Sequence, residues 1–199
     1  MALSLQSNQY LQFPSTAGVI SSWVRTSQTG TSIEIISQHS QTDSGPGWGV
    51  VMNNGVIQMY AKSNPSTVLW NIDSGVSIND GLWHHLGINI YFEAGFNQQL
   101  WIDGSLVINQ PFNGNFVSSS QGRIGRSNDP SWAGFVGEVA ELGIWGGPSS
   151  SIYFIAEQFQ ALAKGIRPPS VSLIDIKAYI PLVKNAIDYI GRDGQPVLV

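Results

Sequence analysis

The feature that most constrains this chain is the regular return of short alternating runs between turn residues. From residue 1 to about residue 147, apolar and polar residues alternate, and clusters of Gly, Asn, Asp and Ser separate the runs every ~8–12 residues, as in all-β proteins. An alternating run places apolar side chains on one face of a strand and polar side chains on the other. The sequence therefore predicts an all-β fold for most of its length.

Three strand pairs are predicted within this region. Residues 47 to 61, "GWGVVMNNGVIQMYA", give the clearest hairpin, because the Asn-Asn-Gly at 53 to 55 suits the positive φ of a tight turn. Residues 100 to 108, "LWIDGSLVI", give a second hairpin with Asp-Gly at its turn. The segments "ISSWVRTS" and "IEIISQ" are predicted to form a third pair.

The pattern then changes to helical spacing. Residues 149 to 166, "SSSIYFIAEQFQALAKGI", predict one short helix near residues 151–164. Ser150 or Ser151 can cap its start, and Gly165 suits its C-terminal exit. The segments "IDIKAYIPLV" and "QPVLV" predict late strands. Because no linker or internal repeat interrupts the chain, we expect one domain over residues 1–199.

Composition excludes several classes of function. The formal net charge is −4 and no run of three basic residues occurs, which argues against nucleic acid as a partner. No stretch approaches ~18 apolar residues, so we expect no membrane insertion. The absence of cysteine excludes disulfides, thiolate-bound metals and a Cys nucleophile. The first residues lack the charged and apolar regions of a signal peptide, so we expect no leader, or one already removed.

Residues 80 to 107, "DGLWHHLGINIYFEAGFNQQLWIDGSLV", resemble the central hairpin of laminin G-like domains of the concanavalin A-like lectin/glucanase superfamily. That hairpin runs Asp-Gly-x-Trp-His-His, an alternating strand, a turn, and a strand ending in Asp-Gly. "LSLQSNQYLQFP" resembles the opening strand of the family, and "GRIGRSNDPSWAGFVGEVAELGIWGGPSS" resembles its closing pattern. The resemblance covers roughly residues 3 to 183 and implies a two-sheet antiparallel jelly-roll sandwich of the concanavalin A-like type.

The adjacent histidines His84 and His85 point to opposite faces if they lie on one strand, which disfavours a shared metal ion. His84 has the parity of the apolar positions, whereas His85 has the parity of Trp83 and Asn89. We therefore expect a strand start, with one histidine hydrogen-bonded near the core and the other near the surface.

No carboxylate pair suited to glycoside hydrolysis is predicted. Glu138 and Glu141 come closest, but their odd separation puts them on opposite faces of a regular strand. Ala140 stands where the resembled family often carries the first of two adjacent acids. No catalytic residues are expected, and we expect the protein not to be an enzyme.

Two Gly- and Pro-flanked loops carry the candidate binding residues, "SGPGWG" and "RSNDPSW". Trp48, Asn128 and Trp132 are the candidate ligand-binding residues, since indole rings can stack on sugar faces. The alternative is that these tryptophans cover a sheet edge or a subunit contact. Asp129 is the candidate ligand of a calcium ion, because many sandwiches of the resembled family hold calcium at one rim. Asp80 is expected to cap the turn into its strand.

Two functions remain in view. The first is a non-catalytic structural or interaction protein of a virus particle, namely a bacteriophage capsid decoration or tail component. On the virion surface it would contact other virion proteins, itself, or host surface glycans. The plain Met start, the single bare sandwich and the 11% charged residues favour this interpretation. The alternative is a soluble carbohydrate-binding or adhesion module, extracellular or at a cell surface.

Overall fold

Within the part of the chain that the structure describes, two seven-stranded sheets face each other across an apolar core. The computed structural model describes residues 2–13, 18–39, 46–64, 67–91, 96–111, 121–127, 132–146 and 152–181. The strands are β1 (Leu3–Leu5), β2 (Leu11–Phe13), β3 (Gly18–Arg25), β4 (Ile33–His39), β5 (Gly47–Asn53), β6 (Val56–Asn64), β7 (Thr67–Ser77), β8 (Trp83–Ile90), β9 (Asn97–Ile102), β10 (Ser105–Pro111), β11 (Gly122–Ile124), β12 (Ala133–Gly134), β13 (Gly137–Gly146) and β14 (Ile176–Ile180). The helices are α1 (Ala156–Ala163) and α2 (Pro168–Val171).

Sheet A has the strand order β1-β13-β3-β8-β9-β10, with β14 also paired to β13. Sheet B has the order β2-β11-β4-β5-β6-β7, with β12 also paired to β4. The pairing is antiparallel except for β12, which runs parallel to β4. The predicted all-β sandwich of two antiparallel sheets is confirmed.

Alternation decides which side chains enter the core between the sheets. On β5 the even positions, Trp48 among them, are fully buried in this core. On β6 the odd positions, including Met59, point the same way. The intervening positions, such as Gly49 and Tyr60, therefore lie on the outer face of sheet B, where they are paired across the two strands.

The two predicted hairpins are confirmed, but the prediction that β3 and β4 pair with each other is wrong. Asn54 and Gly55 turn between β5 and β6 with φ of 51° and 90°. Asp103 and Gly104 do the same between β9 and β10, with φ of 51° and 79°. In contrast, β3 pairs with β13 and β8 in sheet A, whereas β4 pairs with β5 and β11 in sheet B. The chain crosses between sheets after β3, and alternation alone carries no information about which sheet a strand joins.

A second apolar layer covers part of the outer face of sheet A. Phe159 and Leu162 of α1 pack there against Trp101 and Trp145. Gly87 on β8 makes room for the helix, since a Cβ at this position would lie 2.3 Å from Phe159 Cδ1. The short helix of the chain is thus held by its apolar side against the back of the sandwich.

The helix begins later than the sequence predicts. The prediction covers residues 151–164, but α1 starts at Ala156, and Gln158 Oε1 accepts a hydrogen bond from Ile155 N–H at 3.0 Å. Ser150 and Ser151 lie outside the described residues. Asn89 explains the delay, because its side chain bonds both Phe154 N–H, at 3.2 Å, and Phe154 C=O, at 2.9 Å. A residue whose backbone is held by a side chain in this way cannot begin the helical hydrogen-bond ladder.

The end of the helix agrees with the prediction, with Gly165 at φ 84° directly after the C-cap residue Lys164. Pro168 then opens α2 at a position that needs no N–H donor. Of the two late strands, β14 is confirmed and "QPVLV" lies outside the described residues. The described helices have eight and four residues, too short to span a bilayer.

Asn89→Ala tests the two hydrogen bonds, here called the clasp, that join the Asn89 side chain to the backbone of Phe154. The substitution leaves a buried N–H and a buried C=O without partners, so we expect the free energy of unfolding to fall by ~1–3 kcal/mol. Asn71→Ala is the matched control, because Asn71 is exposed on β7 in the other sheet and the expected loss there is within ~0.5 kcal/mol. Urea denaturation measures both. Equal effects for the two variants would contradict the clasp.

Candidate functional site

Trp132 lies on the outer face of sheet B, stacked on Tyr60. The two ring centroids are 5.1 Å apart and the ring planes differ by 6°. Trp132 directly precedes β12, and Ala133 N–H donates to Ser32 C=O at 2.8 Å, which fixes this segment beside β4. Trp132 is partly exposed while Tyr60 beneath it is buried. The indole is thus a rigid, partly open aromatic surface.

A buried hydrogen bond supports this stack from below. Tyr60 OH donates to Glu34 Oε1 at 2.6 Å, and Glu34 is fully buried. The two side chains come from β6 and β4 and meet over Gly49 on the strand between them. A Cβ at Gly49 would lie 2.7 Å from both Glu34 Oε1 and Tyr60 Cε1. A residue without a side chain is therefore needed at this position.

Lys62 adds a positive charge beside the two rings. Its Nζ lies 5.5 Å from the centroid of Trp132 and 5.6 Å from that of Tyr60. Both distances fall within the ~6 Å range of a cation–π contact. The ammonium group can donate hydrogen bonds to a ligand lying against Trp132, since it has three N–H donors and no acceptor.

Polar side chains flank the stack on both sides. Towards β7, Gln58 Nε2 donates to Asp73 Oδ2 at 3.2 Å. Towards β2, Gln12 is hydrogen-bonded to Gln121, and Arg123 lies 4.0 Å above the ring of Tyr10. We call the surface formed by Tyr60, Lys62 and Trp132 with these flanking residues the sheet B face. It combines one aromatic platform with many hydrogen-bonding groups.

The structure places the binding residues predicted from the sequence in different environments. The prediction that Trp48 lies in a loop is wrong, because β5 begins at Gly47 and the Trp48 side chain is fully buried in the core. No sugar can stack on a ring in that position. Trp132 is partly exposed as a binding residue requires. Asn128 and Asp129 lie outside the described residues, so their ligand and calcium roles stay predictions.

Four residues of this surface are not among the binding residues predicted from the sequence: Glu34, Gly49, Tyr60 and Lys62. A signal existed for Tyr60 and Lys62, which share parity on a strand whose other face is apolar. The sequence carries no signal that places Trp132 on the same face, because its position depends on the pairing of β12 with β4.

No group of three His, Asp or Glu side chains suited to a metal ion occurs in the described part of the chain. Asp80 has the predicted turn-capping role, because its Oδ1 accepts a hydrogen bond from Leu82 N–H at 2.8 Å. Asp73 similarly accepts from Gly75 N–H at 2.7 Å.

The two histidines lie on opposite faces of β8, one buried and one near the surface, as predicted. His85 is fully buried on the outer face of sheet A, with Nε2 2.9 Å from Ser21 Oγ. His84 lies at the rim, where Nδ1 is 2.8 Å from Asp103 Oδ2 and Nε2 is 3.1 Å from Asp80 Oδ1.

These surroundings move the two pKa values in opposite directions. Burial lowers the pKa of His85 to about 4, and the charge of Asp103 opposes this only in part. Burial also lowers the pKa of His84, but hydrogen bonds to Asp103 and Asp80 outweigh it and raise the pKa above the ordinary value of 6.5. His85 is therefore neutral at pH 7, and both histidines have structural partners.

Glu138 and Glu141 lie on the same face of β13, contrary to the prediction. The register of β13 against β3 shifts between Ala140 and Gly143, and Glu141 adopts a φ of 49°. Glu138 pairs with Arg25, and Glu141 Oε2 accepts from Tyr179 OH at 2.5 Å. The prediction assumes a regular strand, but the bulge shifts the alternation of side chains between Glu138 and Glu141.

The two facing antiparallel sheets define a β-sandwich of the jelly-roll type. The family model described as the concanavalin A-like lectin/glucanases superfamily, of the laminin G type, matches residues 3–151. The chain belongs to this family. No curated protein sequence matches the chain.

Three solved structures show the same fold at low sequence identity. A Bacteroides ovatus protein described as carbohydrate-binding has 14% identity and a TM-score of 0.70, covering 99% of this chain and 57% of that one. Domain 4 of the extracellular arabinanase AbnA from Geobacillus stearothermophilus, in complex with arabinotriose, has 17% identity and a TM-score of 0.62, covering 81% and 76%. The heptameric SAP-like pentraxin of Limulus polyphemus has 17% identity and a TM-score of 0.58, covering 96% and 93%.

The histidine pair gives a test by imidazole NMR. We expect one resonance set to titrate above pH 6.5 and to disappear in His84→Gln, and another, from His85, to titrate near pH 4. The stability from His84 is complete below pH 6.5 and is lost as the pH rises through its folded pKa. Stability should also fall from pH 6.5 towards pH 4, because unfolding lets His85 take up a proton. A His85 titration near 6.5 would contradict its burial.

Proposed function

We propose that this protein is a non-catalytic carbohydrate-binding domain that holds glycans on the sheet B face, against Trp132. The observation that carries the proposal is a partly exposed indole held parallel to Tyr60, with Lys62 beside both rings. One face of a sugar ring presents C–H groups that pack on an aromatic ring, while its hydroxyls need hydrogen-bonding partners at the edge. Pockets for small ligands combine these same two elements.

The platform is preorganised, which favours weak polar ligands. The parallel stack and the Tyr60–Glu34 hydrogen bond over Gly49 hold the ring in place before any ligand arrives. A side chain already fixed loses little conformational freedom on binding, so more of the contact energy appears as affinity.

The comparisons support the class of ligand and leave the particular sugar open. The family is named for lectins and glucanases, and one similar structure contains arabinotriose. Because these similarities are at or below 17% identity, they bear on the fold, and the sugar-binding role of Trp132 rests on its own geometry. An extracellular or cell-surface location fits such a module. The pairing of β14 with β13 supports one domain that continues beyond the residues matched by the family model.

The virion interpretation stays a prediction from the sequence. None of the three proteins compared above is described as part of a virus particle. A sugar-binding sandwich on a phage surface would use the same face towards host glycans, so the proposed binding activity is common to both settings.

An oligosaccharide array, followed by calorimetry of the tightest ligand, tests the proposal. We expect Trp132→Ala to weaken binding by about thirtyfold, the usual cost of ~2 kcal/mol for losing an aromatic anchor. Trp132→Phe keeps a ring over Tyr60 and should retain most of the affinity. Thermal denaturation of both variants controls for folding. Equal binding by Trp132→Ala and the parent protein would contradict the assignment of the site.

A further inference from the structure

We propose a second saccharide site, specific for neutral sugars, in a groove on the outer face of sheet A. The groove has a volume of about 400 Å³ and is lined by Trp23, Trp83, Glu141, Gly165 and Arg167. Sites for small ligands have volumes of roughly 300–1,000 Å³. This site lies on the other sheet from Trp132, so it adds to the proposed function and does not depend on the same residues.

The register of sheet A brings the two tryptophans together. Trp23 on β3 is opposite His85, and Arg25 is opposite Trp83, so the two indoles are diagonal neighbours on one face of adjacent strands. Elsewhere on this outer face the packing of α1 covers the sheet. Since α1 ends at Ala163, both rings stay partly exposed beyond its end.

Each of the two indoles is held in place by a neighbouring side chain of sheet A. The Arg25 guanidinium lies 5.0 Å from the centroid of Trp83 and is itself paired with Glu138. Arg25 lines a separate cavity of about 520 Å³, so it holds Trp83 from outside the groove. Trp23 meets the edge of the buried His85 ring, with centroids 5.5 Å apart and planes at 64°. The groove therefore has rigid aromatic walls without any ligand.

One carboxylate and one guanidinium supply the polar contacts. Glu141 reaches the groove because of the bulge in β13, in a left-handed backbone conformation that is uncommon outside glycine. Burial and the hydrogen bond to Glu141 raise the pKa of Tyr179, so the tyrosine hydroxyl remains protonated and anchors this carboxylate. Arg167, exposed between α1 and α2, also lines the groove.

The opposite charges of Glu141 and Arg167 select the ligand. A charged ligand in this groove meets one group of its own sign and one of the opposite sign, so its charge gives little net attraction, and entering the groove removes part of its hydration. A neutral sugar avoids that cost, because its hydroxyls donate to Glu141 and accept from Arg167 while its ring face packs on an indole. The geometry thus favours neutral saccharides over uronic acids of the same ring structure.

NMR of the indole Nε1–H groups in the Trp132→Ala protein tests this site apart from the first. The probes are the methyl glycosides of glucose and galactose, each matched with the corresponding uronate. We expect the neutral glycosides to move the Trp23 and Trp83 resonances and the uronates to move them at least tenfold less effectively. Arg167→Gln, an exposed position, should weaken the neutral ligands about tenfold through loss of charge-assisted hydrogen bonds. Leu82→Ala, next to Trp83 but 64% exposed, should leave binding unchanged.

Two results would overturn the second site. One is the absence of any Trp23 or Trp83 shift at about 100 mM neutral glycoside, where a site with a Kd of about 1 mM would be saturated. The other is equal binding of glycoside and uronate. Neither result bears on Trp132, whose own indole response in the parent protein reports on the sheet B face.

Discussion

The alternation of side chains along β5 and β6 fixes both the core and the outer face of sheet B. Each strand sends every second residue into the core between the sheets, where Trp48 and Met59 are fully buried. The positions between them, Gly49 and Tyr60, must then lie on the outer face. The core fixes the backbone, and the backbone places the side chains of the sheet B face. A change of register by one residue would exchange the two sets.

Both candidate surfaces use the side of a sheet that faces away from the core, and each depends on a glycine or a bulge. On sheet B, Gly49 lets Glu34 reach Tyr60 and so fixes the platform under Trp132. On sheet A, the bulge of β13 turns Glu141 towards the groove beside Trp23. The chain has 9 basic and 13 acidic residues, and its formal net charge of −4 does not favour a polyanionic ligand.

Much of the fold could be predicted from the sequence because it depends on local rules. Alternating runs and Asn-Gly or Asp-Gly turns gave two hairpins correctly, with Asn54 and Asp103 at the expected positive φ. The predictions fail where residues far apart in the sequence determine the local structure. The helix starts late because Asn89, far away in the sequence, binds the backbone of Phe154. The loop prediction for Trp48 fails because its Gly and Pro neighbours are typical of loops, whereas Trp48 and the residues after it form strand β5.

The site was harder to predict than the fold, since it is assembled from β4, β5, β6 and the segment before β12. Its loop sequence makes Trp132 a candidate, whereas its contacts with Tyr60 and Lys62 depend on strand pairing. A crystal structure of the protein with the oligosaccharide that it binds most tightly would test whether the sheet B face holds sugars. We expect a sugar ring packed against the Trp132 indole, with hydroxyl groups within reach of Lys62 Nζ. A sugar bound away from the sheet B face, with Trp132 uncovered, would contradict it.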